Sequence, residues 1–219
     1  MIRRSLSTIA WLAAVFLAAS APAAAHPHVW VEGTATLNFD AEGHVPTVTV
    51  AYAIDEMTTA VLLEGLDKNG NGVFERDELQ ALAAENAAAL AEFDYFIEVA
   101  AGAARVPVTG AVGYDYVYEG DRLVLKLELA LERAIDPAAE KVAIRLYDPT
   151  FYVLVELAPE RPLLVNGVAA DFCRVTVKGP SLTSDGVSLS DAVLETYEVP
   201  DNIGRDYADE IGLACGGSS

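Results

Sequence analysis

Sulfur, basic side chains and long apolar runs are scarce in this chain. Of its 219 residues only two are cysteine and three are histidine, and 14 Lys and Arg stand against 33 Asp and Glu, which gives a formal net charge of −19. So acidic a composition disfavours binding to nucleic acid or anionic lipid and attracts cations. Beyond residue 25 no apolar segment approaches the length needed to span a bilayer, so stable membrane insertion is not expected.

The first 25 residues have the three parts of a secretory signal peptide. Arg3 and Arg4 form the basic start, residues 9–19 form a short apolar core, and the alanines at 23–25 form a small-residue cleavage site. The sequence therefore predicts an exported protein whose mature chain begins at His26.

The two cysteines, Cys173 and Cys215, lie far apart in the sequence. In an oxidising compartment an isolated pair most simply forms one disulfide. That bond would tether residues 179–219, predicted as a C-terminal tail, to a strand near Cys173. A thiolate metal site is the alternative, although no second cysteine lies at chelating spacing.

Short segments with strand-like patterns, separated by turn residues, dominate the chain after the signal peptide. Their regular spacing predicts an antiparallel sheet or sandwich. A helix capped by Asp55 and an alanine-rich helix over 78–91 interrupt the pattern. We therefore predict an α+β fold, in which residues 26–178 form a β-rich metal-binding domain with a helix–loop–helix inserted at 55–91. The predicted strands are 28–40, 47–54, 93–99, 105–108, 114–118, 123–129, 141–146, 151–157 and 172–177.

Residues 67–78 match every position of a twelve-residue EF-hand calcium loop. Such a loop supplies side-chain oxygens at positions 1, 3 and 5, a backbone carbonyl at 7, a water-mediated ligand at 9 and a bidentate glutamate at 12. Gly72 provides the turn at position 6, and apolar Phe74 can pack beneath the loop. An Asx- and Gly-rich turn between two helices is the alternative interpretation. The predicted Ca²⁺ ligands are Asp67, Asn69, Asn71, Val73, Glu75 and Glu78.

Two of the three histidines would stand at the mature N-terminus, in the sequence His26-Pro27-His28. The α-amine and imidazole of a terminal His26 can chelate one metal ion together, and in an extended segment His26 and His28 project to the same side. These ligands suit Zn²⁺ and Cu²⁺. Pro27 lacks the N–H that square-planar amine-and-amide copper binding requires, which leaves a tetrahedral site or a histidine brace. The alternative is a disordered N-terminal overhang. His44 is interpreted as an exposed turn residue.

Asp55 and Asp148 each have a structural interpretation and a ligand interpretation. Asp55 precedes a predicted helix, where a carboxylate satisfies the helix N-terminus. Asp148 precedes Pro149, a pattern typical of a turn between strands. If that turn meets the N-terminal strand, Asp148 becomes a candidate oxygen ligand, or an outer partner of a histidine ligand.

No pattern of a known catalytic site occurs. The sequence has no Gly-x-Ser-x-Gly nucleophile elbow, no second cysteine near a histidine and no His-Glu-x-x-His helix. We therefore predict that the protein is not an enzyme, with a metallohydrolase that uses an open zinc position as the alternative.

Five segments together resemble a known family. They are residues 26–32, residues 54–57, the loop 67–78, the pair at 95–96 and residues 148–152, in that order. The set resembles the domain-of-unknown-function-1007 family, whose members are periplasmic components of an uncharacterised ABC-type transport system. They are commonly associated with nickel/cobalt-type or zinc permeases.

The resemblance implies a periplasmic protein that assists transition-metal transport, with an inner-membrane metal permease as partner. The family's His-Pro-His maps onto His26 and His28, and its Asp-Pro-Thr-aromatic-Tyr segment begins at Asp148. Glu32 stands where many members have Asp. The resemblance covers residues 26–177, and the C-terminal portion lies outside it.

The leading hypothesis joins these observations. Zn²⁺, with Cu²⁺ or Ni²⁺ as alternatives, would bind His26 and His28 with help from Asp148, and Ca²⁺ would be a structural ion in the EF-hand-like loop. At the roughly millimolar calcium of exterior compartments even a weak loop is occupied. The alternatives are a copper protein with a histidine brace and a calcium-stabilised interaction module.

Overall fold

The computed structural model describes residues 28–167, 173–180 and 202–216. The predicted signal peptide, His26 and most of the predicted C-terminal tail lie outside these ranges. No helix within them is long and apolar enough to cross a membrane.

The larger sheet surrounds the N-terminal strand and has six strands. The spatial order is β5-β6-β2-β1-β8, and β9 also pairs with β1. The pairs of β1 with β8 and with β9 are parallel, whereas the others are antiparallel, so the sheet is mixed and not antiparallel throughout as predicted. More than 100 residues separate β1 from β8, so no hairpin signal could reveal this pairing. The strands are β1 (Val29–Asn38), β2 (Val45–Ile54), β5 (Val108–Glu119), β6 (Arg122–Ile135), β8 (Val153–Leu157) and β9 (Leu163–Asn166).

The smaller sheet includes residues 210–215, which lie within the segment predicted as a C-terminal tail. Its antiparallel order is β10-β11-β7-β3-β4, so β11 lies between two other strands. The strand signal of β11 is weak because it has only six residues and includes Gly212. The predicted disulfide is confirmed, since Cys173 and Cys215 face each other across β10 and β11 and are bonded. The strands are β3 (Ile97–Ala101), β4 (Ala104–Arg105), β7 (Val142–Leu146), β10 (Cys173–Lys178) and β11 (Glu210–Cys215).

One hydrophobic core joins the two sheets. Alternate residues of β1 and β2 are buried, because successive side chains of a strand point to opposite faces. Leu37 and Leu127 of the larger sheet and Ile144 and Ile211 of the smaller sheet belong to the same buried cluster. The molecule is therefore a sheet-rich α+β fold.

Helical residues lie between β2 and β3. Helix α1 (Glu56–Leu62) and helix α2 (Arg76–Leu90) flank the loop, and a short 3₁₀ helix (Ala91–Phe96) follows. The predicted strand over 93–99 is therefore wrong at its start, because β3 begins at Ile97. Asp94, Tyr95 and Phe96 all have left-handed backbones, with φ between 51° and 58°.

The buried hydroxyl of Tyr52 accounts for the left-handed backbone of residues 94–96, where a strand was predicted. It donates to two carbonyl oxygens, that of Tyr95 at 2.9 Å and that of Phe96 at 3.0 Å. Burial raises the pKa of Tyr52, which keeps its proton available as a donor. A tertiary contact thus favours a conformation that aromatic residues adopt only with strain.

A cluster of charged side chains joins strands β3, β7 and β11 of the smaller sheet. Its members are Glu98, Arg145, Arg205 and Glu210. Glu98 accepts two hydrogen bonds of 2.9 Å from Arg205, which precedes β11, and one of 2.8 Å from Arg145 on β7. Arg145 also donates to Glu210. The hydrogen bonds and charge of Arg205 and Arg145 hold the pKa of Glu98 below its ordinary value.

We expect Glu98→Gln to lower the free energy of unfolding at pH 7 by about 1–2 kcal/mol, because it removes charge-assisted bonds at a mostly buried site. The depressed pKa means that this stability is present above the unfolded-state pKa of about 4.3 and is lost as pH falls through the folded-state value. Urea unfolding at a series of pH values should therefore show the two proteins converging under acid. Glu140→Gln, in an exposed pair with Arg133, is the control and should change stability much less. A pH-independent difference would contradict the prediction.

Candidate metal-binding sites

The side chains at the first, third and fifth positions of loop 67–78 turn inward toward its backbone. The carboxylate of Asp67 accepts the N–H groups of Gly70 at 2.7 Å and Gly72 at 2.9 Å. Asn69 Oδ1 accepts the N–H of Asn71 at 2.9 Å. In turn, Asn71 Oδ1 accepts the N–H of Val73 at 2.7 Å. The backbone is thereby wound so that successive side-chain oxygens face the interior of one turn.

Glu78 closes this loop from the first turn of α2. Its Oε1 accepts the N–H of Lys68 at 2.8 Å, and its Oε2 accepts the N–H of Glu75 at 3.3 Å. Glu78 is buried although it is charged. Gly72 has φ of +77°, a left-handed conformation that glycine adopts without strain.

Glu75 faces the two loop amides. It accepts hydrogen bonds from the side-chain nitrogens of Asn71 at 2.7 Å and Asn69 at 3.2 Å. Hydrogen bonds lower the pKa of Glu75. The bond from the Asn71 side chain has the largest effect, and the bond with the Glu78 side chain adds to it. Glu75 therefore remains an anion on the same side of the loop as the asparagine side chains.

Contacts with strand β5 position the C-terminal half of the loop and helix α2. The ring of Phe74 packs edge-on against Tyr118, with centroids 5.2 Å apart. Arg76 pairs with Asp115 at 3.2 Å. Along α2, Asn86 donates to the hydroxyl of Tyr116 at 2.7 Å.

The donor types in this loop fit a hard cation. Carboxylate, amide and backbone carbonyl oxygens are the ligands that Ca²⁺ takes, six to eight at a time. Among the described residues no group of three or more His, Cys, Asp or Glu side chains is clustered as a metal site. A site at loop 67–78 would therefore depend on amide and carbonyl oxygens as well as on carboxylates.

The start of β1 carries the second candidate site. The backbone N–H of His28 donates to the carbonyl oxygen of Tyr152 at 2.9 Å. The exposed imidazole of His28 stacks on the ring of Tyr152 with centroids 4.8 Å apart. Trp30, two residues after His28, is 44 % exposed. Tyr152 is 49 % exposed. The segment 148–152 thus meets the N-terminal strand, which is the condition for a role of Asp148 at this site.

Asp148 itself is buried and bonded within its own turn. Its Oδ1 accepts from both the N–H and the hydroxyl of Thr150 at 2.8 Å, and its Oδ2 accepts from the N–H of Val153 at 2.9 Å. Only 2 % of Asp148 is exposed. The carboxylate therefore holds the turn that presents Tyr152.

His44 lies apart from these groups, in the turn before β2. The backbone N–H of His44 donates to Asp40 Oδ1 at 2.8 Å, and its imidazole Nδ1 lies 3.9 Å from Asp40 Oδ2. Nearly half of its side chain is exposed. This is the turn environment predicted for it.

Two positions near the sites have contacts that the sequence analysis missed. The predicted cap is present, because Asp55 Oδ1 accepts the N–H of Thr58 at 2.9 Å, but Oδ2 also accepts the N–H of Trp30 at 3.3 Å. Partial burial would raise the pKa of Asp55, but these hydrogen bonds hold it below its ordinary value. Helix α3 (Ile203–Asp206) packs so closely on the turn of Asp148 that a Cβ at Gly204 would collide with the Asp148 carbonyl.

Comparison with known proteins gives one match. The family model described as "Protein of unknown function (DUF1007)" matches residues 11–215. No curated protein and no solved structure matches the chain. The match extends past residue 177, where the resemblance was expected to end, and so includes helix α3 and strand β11.

Proposed function

The chain belongs to the DUF1007 family, and on that premise we propose that it is an exported metal-binding protein that assists transition-metal transport. In this proposal loop 67–78 holds a structural Ca²⁺, and the residues around His28 bind a transition metal, zinc in the first place. The two sites have different chemistry, so each needs its own support.

The winding of loop 67–78 is the observation that carries the calcium assignment. The carboxylate of Asp67 and the amide oxygens of Asn69 and Asn71 are fixed by backbone N–H groups of the same loop. Glu78 is held at the opposite end by the N–H of Lys68. This places the potential oxygen ligands around one turn, as coordination of a single Ca²⁺ ion requires.

The transition-metal assignment depends on the exposed imidazole of His28 and on His26, which lies outside the described residues. His28 directly precedes β1, and its backbone N–H donates to the carbonyl of Tyr152, so its position is defined. We propose that Asp148 acts indirectly, by holding the turn of Tyr152, because its oxygens already accept three hydrogen bonds within that turn. Imidazole and amine nitrogens favour Zn²⁺ and Cu²⁺ over hard cations.

The proposed role in transport rests on the family resemblance, and the charge of the protein supports it. A net charge of −19 raises the local concentration of cations around the protein. We propose an inner-membrane metal permease as partner, with the protein in the periplasm and without catalytic activity. A copper protein and a calcium-stabilised interaction module are the competing functions.

Metal analysis and N-terminal sequencing of the exported protein test the proposal. We expect a chain that begins at His26 and that copurifies with one transition-metal ion. His28→Ala should weaken Zn²⁺ binding at least tenfold in calorimetric titrations, since even outer-shell changes cost about 10–100-fold. His44→Ala removes a histidine from an unrelated turn and should leave the affinity unchanged.

Other results would redirect the assignment. A visible d–d band and an electron paramagnetic resonance signal would identify copper in place of zinc. Equal Zn²⁺ affinity in the wild type and in His28→Ala would exclude this site and favour the interaction module. A different N-terminus would exclude the amine chelate.

A further inference from the structure

We propose that the disulfide between Cys173 and Cys215 is a thiol-exchange site, at which a dithiol reduces the bond while the protein stays folded. The bonded form is the resting state, as expected of an exported protein. No metal ion takes part, so the site is independent of the proposed function. The cleft beside the disulfide, the charges that line this cleft and the place of each cysteine in the smaller sheet support the assignment.

The disulfide borders a cleft with a volume of about 720 Å³. Cys173 and Cys215 both line this cleft, and each is partly exposed. The turn at 137–141, between β6 and β7, forms another wall. Because clefts of about 300–1,000 Å³ take drug-sized molecules, a small dithiol has room to approach the sulfur atoms without prior unfolding of the chain.

Two basic side chains line the same cleft in a protein that is otherwise strongly acidic. Lys141 and Arg174 are both exposed, and neither has an ion-pair partner in the part of the chain that the structure describes. The acidic residue of the cleft, Glu140, is already paired with Arg133 by hydrogen bonds of 2.8 Å and 2.9 Å. Nearby cations favour the thiolate form of a cysteine, and a thiol with a lower pKa leaves faster in exchange.

Reduction takes place by two displacements at sulfur. One thiolate of the dithiol attacks Sγ of Cys173, which starts the exposed strand β10; the bond between the cysteines breaks, and its electron pair leaves on Sγ of Cys215. The second thiolate then attacks the dithiol sulfur of this mixed disulfide, and Cys173 leaves as a thiolate. The dithiol is oxidised to a disulfide, the two cysteines are reduced, and the two protons of the dithiol pass to them.

The positions of the two cysteines allow the fold to persist when the bond is broken. Cys173 belongs to β10, which lies at the edge of the smaller sheet and pairs with β11. Cys215 belongs to β11, which also pairs with β7. The N–H of Cys215 donates to the carbonyl of Pro137 at 3.2 Å, and Glu210 at the other end of β11 pairs with Arg145. Strand β11 is therefore held in the sheet by contacts that do not involve the disulfide.

Reduction of the metal-free exported protein by dithiothreitol tests the assignment. Free cysteines are trapped with a maleimide at intervals and counted by mass spectrometry, while far-ultraviolet circular dichroism follows the fold. We expect a rate that is proportional to the dithiothreitol concentration and unchanged by urea below the unfolding transition, with the sheet signal retained in the reduced protein. A rate that is independent of dithiothreitol, or that rises steeply with urea, would show that the bond breaks only after unfolding and would overturn the proposal.

Arg174→Gln tests the contribution of the charges, with Lys178→Gln as the matched control. Lys178 lies on the same face of β10 but does not line the cleft. We expect Arg174→Gln to slow reduction about threefold, because loss of a neighbouring cation raises the pKa of the departing thiol, and Lys178→Gln to leave the rate unchanged. Equal slowing by both variants would assign the effect to net charge and overturn the role of Arg174. The rates in unmodified protein decide the main point even if a variant does not fold, and they stand whether or not Zn²⁺ or Ca²⁺ binds.

Discussion

Replacing Asp148 by alanine is expected to lower the free energy of unfolding by about 2–4 kcal/mol, because polar groups near the core lose their partners. The carboxylate accepts hydrogen bonds from the N–H and hydroxyl of Thr150 and from the N–H of Val153. Removing it takes away the partner of the Val153 N–H and releases the turn at Thr150, against which helix α3 packs through Gly204 and the Asp148 carbonyl. Urea denaturation followed by far-ultraviolet circular dichroism measures the loss.

The same variant decides between two roles for Asp148. A positioning role predicts lower stability and a moderate loss of Zn²⁺ affinity that follows from displacement of Tyr152. A direct ligand role predicts the same loss of stability with a far larger loss of Zn²⁺ affinity, and that result would contradict our interpretation. Asp136→Ala supplies the control for stability, because this aspartate caps an exposed turn by one hydrogen bond to the N–H of Ala138.

Features encoded in contiguous residues could be predicted from the sequence. The hairpin of β5 and β6 has its turn at Gly120, where φ is +58°, as the turn residues indicated. Asp55 caps a helix, and the alanine-rich segment forms α2. The disulfide followed from the cysteine count and the export signal. In each case the determining interactions lie within a few residues or concern the two cysteines.

Features set by distant contacts could not be predicted. Residues 93–99 were predicted as a strand because most of them are apolar or aromatic. Residues 94–96 instead have left-handed backbones, and the hydroxyl of Tyr52, more than 40 residues away, donates to the carbonyls of Tyr95 and Phe96. Parallel pairing of β8 with β1 leaves no mark in either segment. Strand β11 contains Gly212, whose missing side chain accommodates Thr176 of the adjacent strand.

The residues near the histidine site likewise combine features that the sequence indicated with features set by distant contacts. A turn at Asp148 followed from the proline after it, but the burial of the carboxylate depends on packing against α3 and β8. The bond from Trp30 to Asp55 joins residues 25 apart, so a helix cap was visible in the sequence while its second partner was not. Residue types indicate which chemistry is possible at a position, whereas burial decides whether a carboxylate can reach an ion.

Calcium is expected to stabilise the protein substantially. For an ion that binds the folded state alone, a concentration 100 times the dissociation constant adds about 2.7 kcal/mol. In a chain of this size that corresponds to a rise in Tm of roughly 5–10 °C. Differential scanning calorimetry with and without Ca²⁺ measures the shift. Mg²⁺ at the same concentration should give a smaller shift, because it requires six short bonds in near-ideal octahedral geometry.

Glu78→Gln tests whether this stabilisation comes from loop 67–78. The amide can still accept the N–H of Lys68, so the fold of the loop should survive, but the bidentate carboxylate is lost. Calcium affinity should fall by at least about 100-fold, since loss of a direct ligand exceeds the 10–100-fold cost of outer-shell changes. The Tm shift should then fall to about 2 °C or less at the same Ca²⁺ concentration.

Asp77→Asn is the matched control for charge. It removes one negative charge from the same turn of α2, yet Asp77 is exposed and occupies a loop position that supplies no ligand. If the two variants weaken calcium binding equally, the ion is attracted by the acidic surface as a whole, and the loop is an Asx- and Gly-rich turn between helices. If Glu78→Gln alone removes most of the shift, the ion is coordinated by the loop, because general electrostatic attraction cannot distinguish adjacent carboxylates.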